Sequence, residues 1–257
     1  MKEYREDMEN RSEGEGLIEG RNAVTEALRA GAPIDKIYIA RGETDRTLSR
    51  IVAEAKKAGL VVVDVDRRKL DTMSATHSHQ GVIAVAAAQS YASVEDILRR
   101  AEEKGEKPLI VVCDEISDPH NLGAIIRTAE CAGAHGVIIP KRRAVGLTAV
   151  VAKASAGAIE HMAIAKVSNL ATTVEELKKK GLWIFASEAG ATPYYETDFN
   201  IPSAIIFGSE GAGVSRLLKE KCDFLISIPM YGKVNSLNVS TAASVILCHA
   251  ARMQHTK

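Results

Sequence analysis

The sequence predicts an α/β protein in two units: a small one of about 70 residues, then a larger one built on a mostly parallel sheet. Three observations predict this. Between residues 17 and 89, strand-like apolar runs alternate with helical patterns. At 104–108, Lys-Gly-Glu-Lys-Pro breaks a charged stretch. Beyond Pro108, six apolar strand runs alternate with helical segments, the pattern of a sheet covered on both faces.

Taken in order, residues 1–16 are highly charged and almost without large apolar side chains, so a disordered leader is expected. A helix at 24–29, a strand at 36–40, a helix at 44–58 and strands at 61–65 and 81–87 follow from the switch between helical and alternating periodicity. Residues 91–107 read as a charged helical linker whose strong apolar residues are Ile97 and Leu98. The expected divisions are therefore 1–16, 17–89, 90–107 and 108–257. In the last of these, strands are expected near 109–113, 136–139, 162–165, 182–186, 203–207 and 224–228. Helices are expected at 121–132, 147–156, 170–180, 214–220 and 238–253. Asn121 is a favoured N-cap and Gly133 a suitable stop for the first of these helices.

At 257 residues the chain is comfortable for two cores. No apolar run reaches the roughly 18 residues of a membrane span, and the first sixteen residues lack the apolar centre of a signal peptide, so a cytoplasmic location is expected. Cys113, Cys131, Cys222 and Cys248 form no C-x-x-C pair and lie in or beside apolar patterns. Buried, reduced thiols are expected, and no metal site. The formal net charge is zero, with 33 basic and 33 acidic residues, which by itself argues against a polyanion partner. Distribution argues the other way. Between Glu130 and Glu160 there is no carboxylate, yet Lys141, Arg142, Arg143 and Lys153 fall there; after Asp223 there is again none, while Lys233, Arg252 and Lys257 remain. A solvated loop is the plainer reading of Lys141-Arg142-Arg143 and phosphate binding the functional one.

Chemistry concentrates in three segments. Phe207-Gly208-Ser209-Glu210-Gly211-Ala212-Gly213 and Ile228-Pro229-Met230-Tyr231-Gly232-Lys233-Val234-Asn235-Ser236-Leu237-Asn238-Val239-Ser240 each place glycine and small polar residues after an apolar run, where main chain can close on a ligand. The glycine triplet is no dinucleotide fingerprint, because that motif follows the first strand of its domain and this one comes late. The third segment is Asp118-Pro119-His120-Asn121-Leu122-Gly123-Ala124-Ile125-Ile126-Arg127-Thr128-Ala129. In order and in their polar residues, the three resemble the motifs of the SpoU (TrmH-type) RNA ribose methyltransferases of the SPOUT class. Gly20-Arg21-Asn22-Ala23-Val24 and His79-Gln80-Gly81-Val82-Ile83-Ala84 resemble the ends of the small domain that precedes the catalytic domain in RlmB-like members, which methylate a guanosine ribose in 23S rRNA.

The resemblance implies a C-terminal SPOUT domain with a deep trefoil knot, against the general rule that chains do not thread themselves. Before it would stand a small, ribosomal-protein-like α/β domain that binds substrate. It implies S-adenosylmethionine held by main chain at Gly208, Ser209, Ile228, Met230 and Leu237, with Asn121, Arg127, Glu210, Ser236 and Asn238 serving catalysis. RNA contacts would fall to Arg21, Gln80, Lys141, Arg142 and Arg143, the partner being 23S rRNA or alternatively tRNA. A homodimer would bury helix 238–253, whose Val239, Ala242, Ala243, Ile246, Leu247, Ala250 and Ala251 make a broad apolar face, against the helix at 121–132. Singly, these residues have plainer readings: Asn121 as an N-cap, Glu210 as an acid near the helix at 214, Asn238 and Ser240 as caps, Ile228 and Leu237 as core, and His77, His79 and Gln80 as a polar loop. Arg127 suits positioning rather than proton abstraction, since a guanidinium stays protonated and offers a planar fork of donors. The rivals are an enzyme of the same family that methylates tRNA or an rRNA adenosine, and a non-enzymatic RNA-binding or assembly protein of the same fold, which would have no need of all three loops.

Overall fold

The computed structural model describes residues 16–43 and 45–255, so the leader expected at 1–16 lies outside the described residues except for Gly16. The chain divides into two compact units, one running to Ser90 and including Gly146–Val150, the other Tyr91–Val145 with Val151–Lys257.

The first unit holds β1 (Leu17–Glu19), α1 (Arg21–Arg29), β2 (Ile34–Ala40), α2 (Arg46–Lys57), β3 (Val61–Val65), α3 (Arg67–Met73) and β4 (Val82–Ala86). Its sheet has the order β1-β4-β2-β3, with β2 and β3 parallel and the other pairs antiparallel. Asp45 starts α2 by accepting from the Thr47 amide at 2.6 Å, and Leu48, Ile51 and Ala55 then bury one helical face against Ile37, Ile39, Val82 and Ala84. Leu70 of α3 fills the opposite face with Ala40, Val65 and Ile83. Sequence periodicity missed α3, because Arg67-Arg68-Lys69 shows its solvent side and a single leucine anchors it.

The second unit holds α4 (Val94–Lys104), β5 (Leu109–Cys113), α5 (Pro119–Cys131), β6 (Gly136–Pro140), all but the first two residues of α6 (Ala149–Ala154), β7 (Ile164–Val167), α7 (Leu170–Lys179), β8 (Trp183–Pro193), β9 (Ser203–Phe207), α8 (Arg216–Lys219), β10 (Phe224–Ser227) and α9 (Val239–His255). Its sheet is wholly parallel, with the order β10-β8-β9-β5-β6-β7. The central β5 and β9 are buried along their whole length, as continuous apolar runs in a doubly covered sheet require.

Four expectations change. The segment expected as a linker is α4, capped by a Ser93/Asp96 capping box and ended by left-handed Gly105; it buries Ile97 and Ala101 in the core of the second unit. Its charges cover only the outer face, so composition hid the inner stripe. Asp118, not Asn121, caps α5, accepting from the His120 amide at 2.7 Å, while Gly133 ends it with φ +71° as expected. Cys131 and Cys248 are exposed and Cys222 is only partly buried; Cys113 alone is fully enclosed. Alanine-rich helices hide which side faces inward, and both exposed thiols fall on outer positions. The apolar face of α9 is used within the chain itself: Val239, Ala243, Ile246, Leu247 and Ala250 are all buried there. No helix among the described residues is long and apolar enough to cross a membrane.

Candidate active site

Because β10, β8 and β9 are adjacent and parallel, the loops leaving their C-terminal ends emerge on one side of the sheet and meet. They enclose a cavity of about 730 Å³ lined by residues 187–189, 207–213, 227, 228, 230, 235–239 and 242. This is the side on which open α/β sheets bind ligands. The first lining segment is a wide bulge. Leu225 pairs with Ala186 and the next residue, Ile226, with Thr192, so 187–191 loop out of β8 while β10 runs straight past. Ser227 Oγ closes the bulge by donating to the Ala191 carbonyl at 2.6 Å, and Lys219 pairs with Glu188 at 2.9 Å. The sequence reading ended this strand at 186 and did not find Ser187 to Ala189; the available signal was a polar pair directly after a buried apolar run.

The second loop folds on itself. Gly213 N donates to Ser209 O at 2.9 Å, and Gly211 and Gly213 have φ of +87° and +66°, conformations that favour glycine. A Cβ on Gly208 would collide with the main chain of Gly213 and Val214. Buried Asp114 ties the end of this loop to β5: its carboxylate accepts from Ser215 N at 2.7 Å and its own amide donates to Phe207 O at 2.8 Å. Asp114 also helps desolvation push the Cys113 thiol up to about 12, which leaves that cysteine inert. Asp114 was legible only as one polar residue in a turn.

At the rim, three polar side chains from distant segments converge. Asn121 Nδ2 and Asn238 Nδ2 both donate to Glu210 Oε1, at 2.9 and 2.6 Å, and Asn238 Nδ2 also donates to Asn121 Oδ1 at 2.9 Å. Asn238 Oδ1 meanwhile caps α9, accepting from Ser240 N at 2.9 Å, Ser240 Oγ at 2.6 Å and Thr241 N at 3.4 Å. The capping reading of Asn238 and its place at the rim are thus both realised, by opposite ends of one amide. Asn121 is free for this role because Asp118 caps its helix. Among the described residues Glu210 Oε2 has no hydrogen-bond partner.

Of the sequence-predicted site residues, Gly208, Ser209, Glu210, Ile228, Met230, Ser236, Leu237 and Asn238 line the cavity, and Asn121 joins it through Glu210. Arg127 does not line it. It sits exposed on α5, about 9 Å along the helix from Asn121, and makes no ion pair with a described residue. Next to it, Thr128 Oγ1 meets Ser244 Oγ of α9 at 2.9 Å, so the two helices that carry Asn121 and Asn238 are pinned side by side. Lys141 is half-buried, Arg142 exposed, and Arg143 pairs with Glu115 at 3.1 Å.

In the first unit, Arg21 and Gln80 find each other. Arg21 N donates to Gln80 Oε1 at 3.2 Å and Arg21 Nε to Gln80 O at 2.9 Å, while the guanidinium pairs with Asp45 at 2.9 Å and Glu43 at 3.7 Å. His79 is buried, accepting from Gly81 N at 3.0 Å and meeting Asp71 at 2.9 Å. Among the described residues no cluster of His, Cys, Asp and Glu is placed to hold a metal.

The mixed lining suits S-adenosylmethionine, with main-chain groups and apolar Ile228, Met230 and Leu237 available for an adenine and carboxylates and hydroxyls for its polar groups. The SpoU rRNA Methylase family model matches residues 108–248, and a model for RNA 2′-O ribose methyltransferase substrate binding matches residues 17–92. A Bacillus subtilis (strain 168) protein, YacO, assigned to the TrmH family of tRNA/rRNA methyltransferases, is 47% identical over 245 residues, covering 95% of this chain and 98% of its own. A Staphylococcus haemolyticus protein with the same assignment is 47% identical over 240 residues, covering 93% and 96%. Among solved structures, the SpoU methyltransferase AviRb from Streptomyces viridochromogenes in complex with AdoMet superposes with a TM-score of 0.58 at 25% identity, over 92% of this chain and 89% of that one. An AdoMet-bound rRNA methyltransferase from Sinorhizobium meliloti gives 0.59 at 26%, over 94% and 88%.

Proposed function

The chain belongs to the SpoU rRNA methylase family of S-adenosylmethionine-dependent RNA methyltransferases, and from that premise we propose that it methylates the ribose 2′-hydroxyl of a guanosine in 23S rRNA. The observation that carries the chemistry is the Asn121–Glu210–Asn238 cluster at the rim of a cavity walled by main chain. The match of residues 17–92 to a substrate-binding model supports an RNA as the substrate. tRNA is the second reading; it draws on the likeness of the second unit to the A. aeolicus TrmH/SpoU tRNA modifying enzyme, 32% identical over 62% of this chain.

In this proposal S-adenosylmethionine supplies a methyl group on a sulfonium centre. Gly208, Ser209, Ile228, Met230 and Leu237 hold it, chiefly through main chain. Glu210, fixed on one oxygen by two amides, keeps Oε2 for a proton or a hydroxyl of the substrate, and Ser236 lines the same cavity. Arg127 aligns the RNA through its forked donors, with Arg142 and Lys141 on neighbouring phosphates. Arg21 and Gln80, having satisfied one another, act by holding the 75–81 loop in shape. A trefoil knot through the second unit, a homodimer and a cytoplasmic location complete the proposal. Mapping 2′-O-methyl sites in rRNA and tRNA from a strain lacking the protein tests it: one missing guanosine mark in 23S rRNA is expected, and loss of a tRNA mark alone would overturn the target. Titration with S-adenosylmethionine in a calorimeter tests the cofactor site separately; a silent RNA binder would give no heat.

A further inference from the structure

Three of the chain's six tyrosines, Tyr194, Tyr195 and Tyr231, gather beside the cavity. Tyr194 and Tyr195 directly follow β8, and Tyr231 follows Met230, which lines the cavity. Tyr194 anchors the group: it stands edge-on to His249 of α9 with ring centroids 5.0 Å apart, and to Tyr195 at 5.4 Å. The register that sets Ser227 beside Pro193 brings the segments after β10 and β8 together, and Tyr231 lies close enough to the Tyr195 hydroxyl to act on it. Yet Tyr195 is 51% exposed and Tyr231 91%. Tyr195 is thus held to the fold through Tyr194, while it and Tyr231 stay largely in water. Burial does not account for them.

Their surroundings select a ligand. Tyr231 opens a run of exposed residues that ends at Asn238 of the rim cluster. The only charge in that run is Lys233, which pairs with no described residue, and the chain carries no carboxylate from 224 to its end. The nearby acids are Glu196, next to Tyr195, and Glu210, bonded to Asn238 at the end of the run; Tyr231, ahead of burial and Glu196, raises the pKa of the Tyr195 phenol. Exposed aromatic rings beside an unpaired cation fit a nucleobase and its phosphate, and unstacked bases are what aromatic faces recognise in single-stranded RNA.

We propose that Tyr195 and Tyr231 form a stacking platform for an unpaired base of the RNA substrate flanking the methylated ribose, with Lys233 on the adjoining phosphate. The inference rests on the RNA methyltransferase reading. Its test uses the full chain carrying Tyr195→Ala, Tyr231→Ala and the two phenylalanine counterparts. Three quantities are measured: S-adenosylmethionine affinity by calorimetry, affinity for transcribed 23S rRNA by filter binding, and sedimentation. Cofactor affinity should stay at the wild-type value, while each alanine weakens RNA binding by roughly tenfold. Each phenylalanine should restore most of it, because the ring remains. Alanine variants that bind RNA as the wild type does would overturn the proposal, as would phenylalanine variants as weak as alanine, which would assign the effect to the hydroxyl pair. Weakening that tracks a change in sedimentation would make the tyrosines a subunit contact and also overturn it. A wild-type protein that binds the transcript without methylating it would sink the rRNA assignment and leave the stacking result standing; one that binds neither 23S rRNA nor tRNA would sink both.

Discussion

Asn238 and Gly208 show how single atoms set the site. One amide of Asn238 caps α9 with its oxygen and holds Glu210 and Asn121 with its nitrogen, so helix start and rim geometry cannot vary separately. At Gly208 the constraint is steric. Gly208→Ala should abolish S-adenosylmethionine binding, because its Cβ would strike Gly213 and Val214 main chain, which cannot move like a side-chain tip. The collision is with the loop itself, not with a ligand, so the loop should open while the sheet survives. Calorimetry beside a far-ultraviolet spectrum decides this, and unchanged affinity would refute it. Arg127 calls for the opposite pattern. Lying off the cavity, it can be replaced by alanine with cofactor affinity kept within a few fold, while single-turnover methyl transfer falls to background. Arg127→Lys should be nearly as poor, since an ammonium lacks the planar fork; near-wild-type rates in either variant would remove Arg127 from the mechanism.

At the scale of elements, α4 is the informative helix. Gly136 of β6 lies against it so closely that a Cβ there would come within 2.5 Å of Ile97 Cγ1. Ile97→Ala should therefore cost about 2–5 kcal/mol of unfolding free energy by denaturant titration, whereas a free linker would show almost no change. The turn after α4 adds a pH dependence. His135 accepts from Leu109 N at 3.1 Å and meets Glu106 at 3.1 Å. Burial, and secondarily Lys104, pull its pKa below the ordinary 6.5, against the opposing pull of Glu106. A depressed pKa means that the folded state favours the neutral ring: its contribution is complete above about 6.5 and is lost as pH falls through the lower folded value. The unfolding midpoint should drop between about pH 7 and about pH 5, and His135→Gln should flatten that drop. Equal slopes in both proteins would place the titration elsewhere.

For the whole molecule, the open question is how many chains make the enzyme. The proposed homodimer is expected to meet α9 away from Ala243, Ile246, Leu247 and Ala250, which are buried within one chain; a glutamate at Ala243 would unfold the unit. What α5 and α9 leave outside is a second surface, with Arg127 and Cys131 on one helix and Thr241 and Cys248 on the other. Sedimentation at micromolar concentration should give a dimer that Cys248→Glu dissociates without lowering the melting temperature by more than a few degrees. A methylating monomer of 27.6 kDa would end the dimer proposal.

The sequence by itself determined the elements whose pattern is local and complete: the buried runs of β5 and β9, the stop of α5 at Gly133, and the motif residues that later line the cavity. It could not determine α3 or the inner face of α4, where one or two apolar anchors are masked by many charges, nor which sides of the alanine-rich α5 and α9 face inward. Tertiary structure alone decided these, because burial is a property of what lies opposite, and periodicity records only that a face exists. The same reason separates the site residues. Gly208 and Asn238 announce themselves by type and spacing, but the meeting of Asn121 with Glu210 across 89 residues, the bulge that brings in Glu188 and the tie from Asp114 to Ser215 arise only when parallel strands set their C-terminal ends side by side.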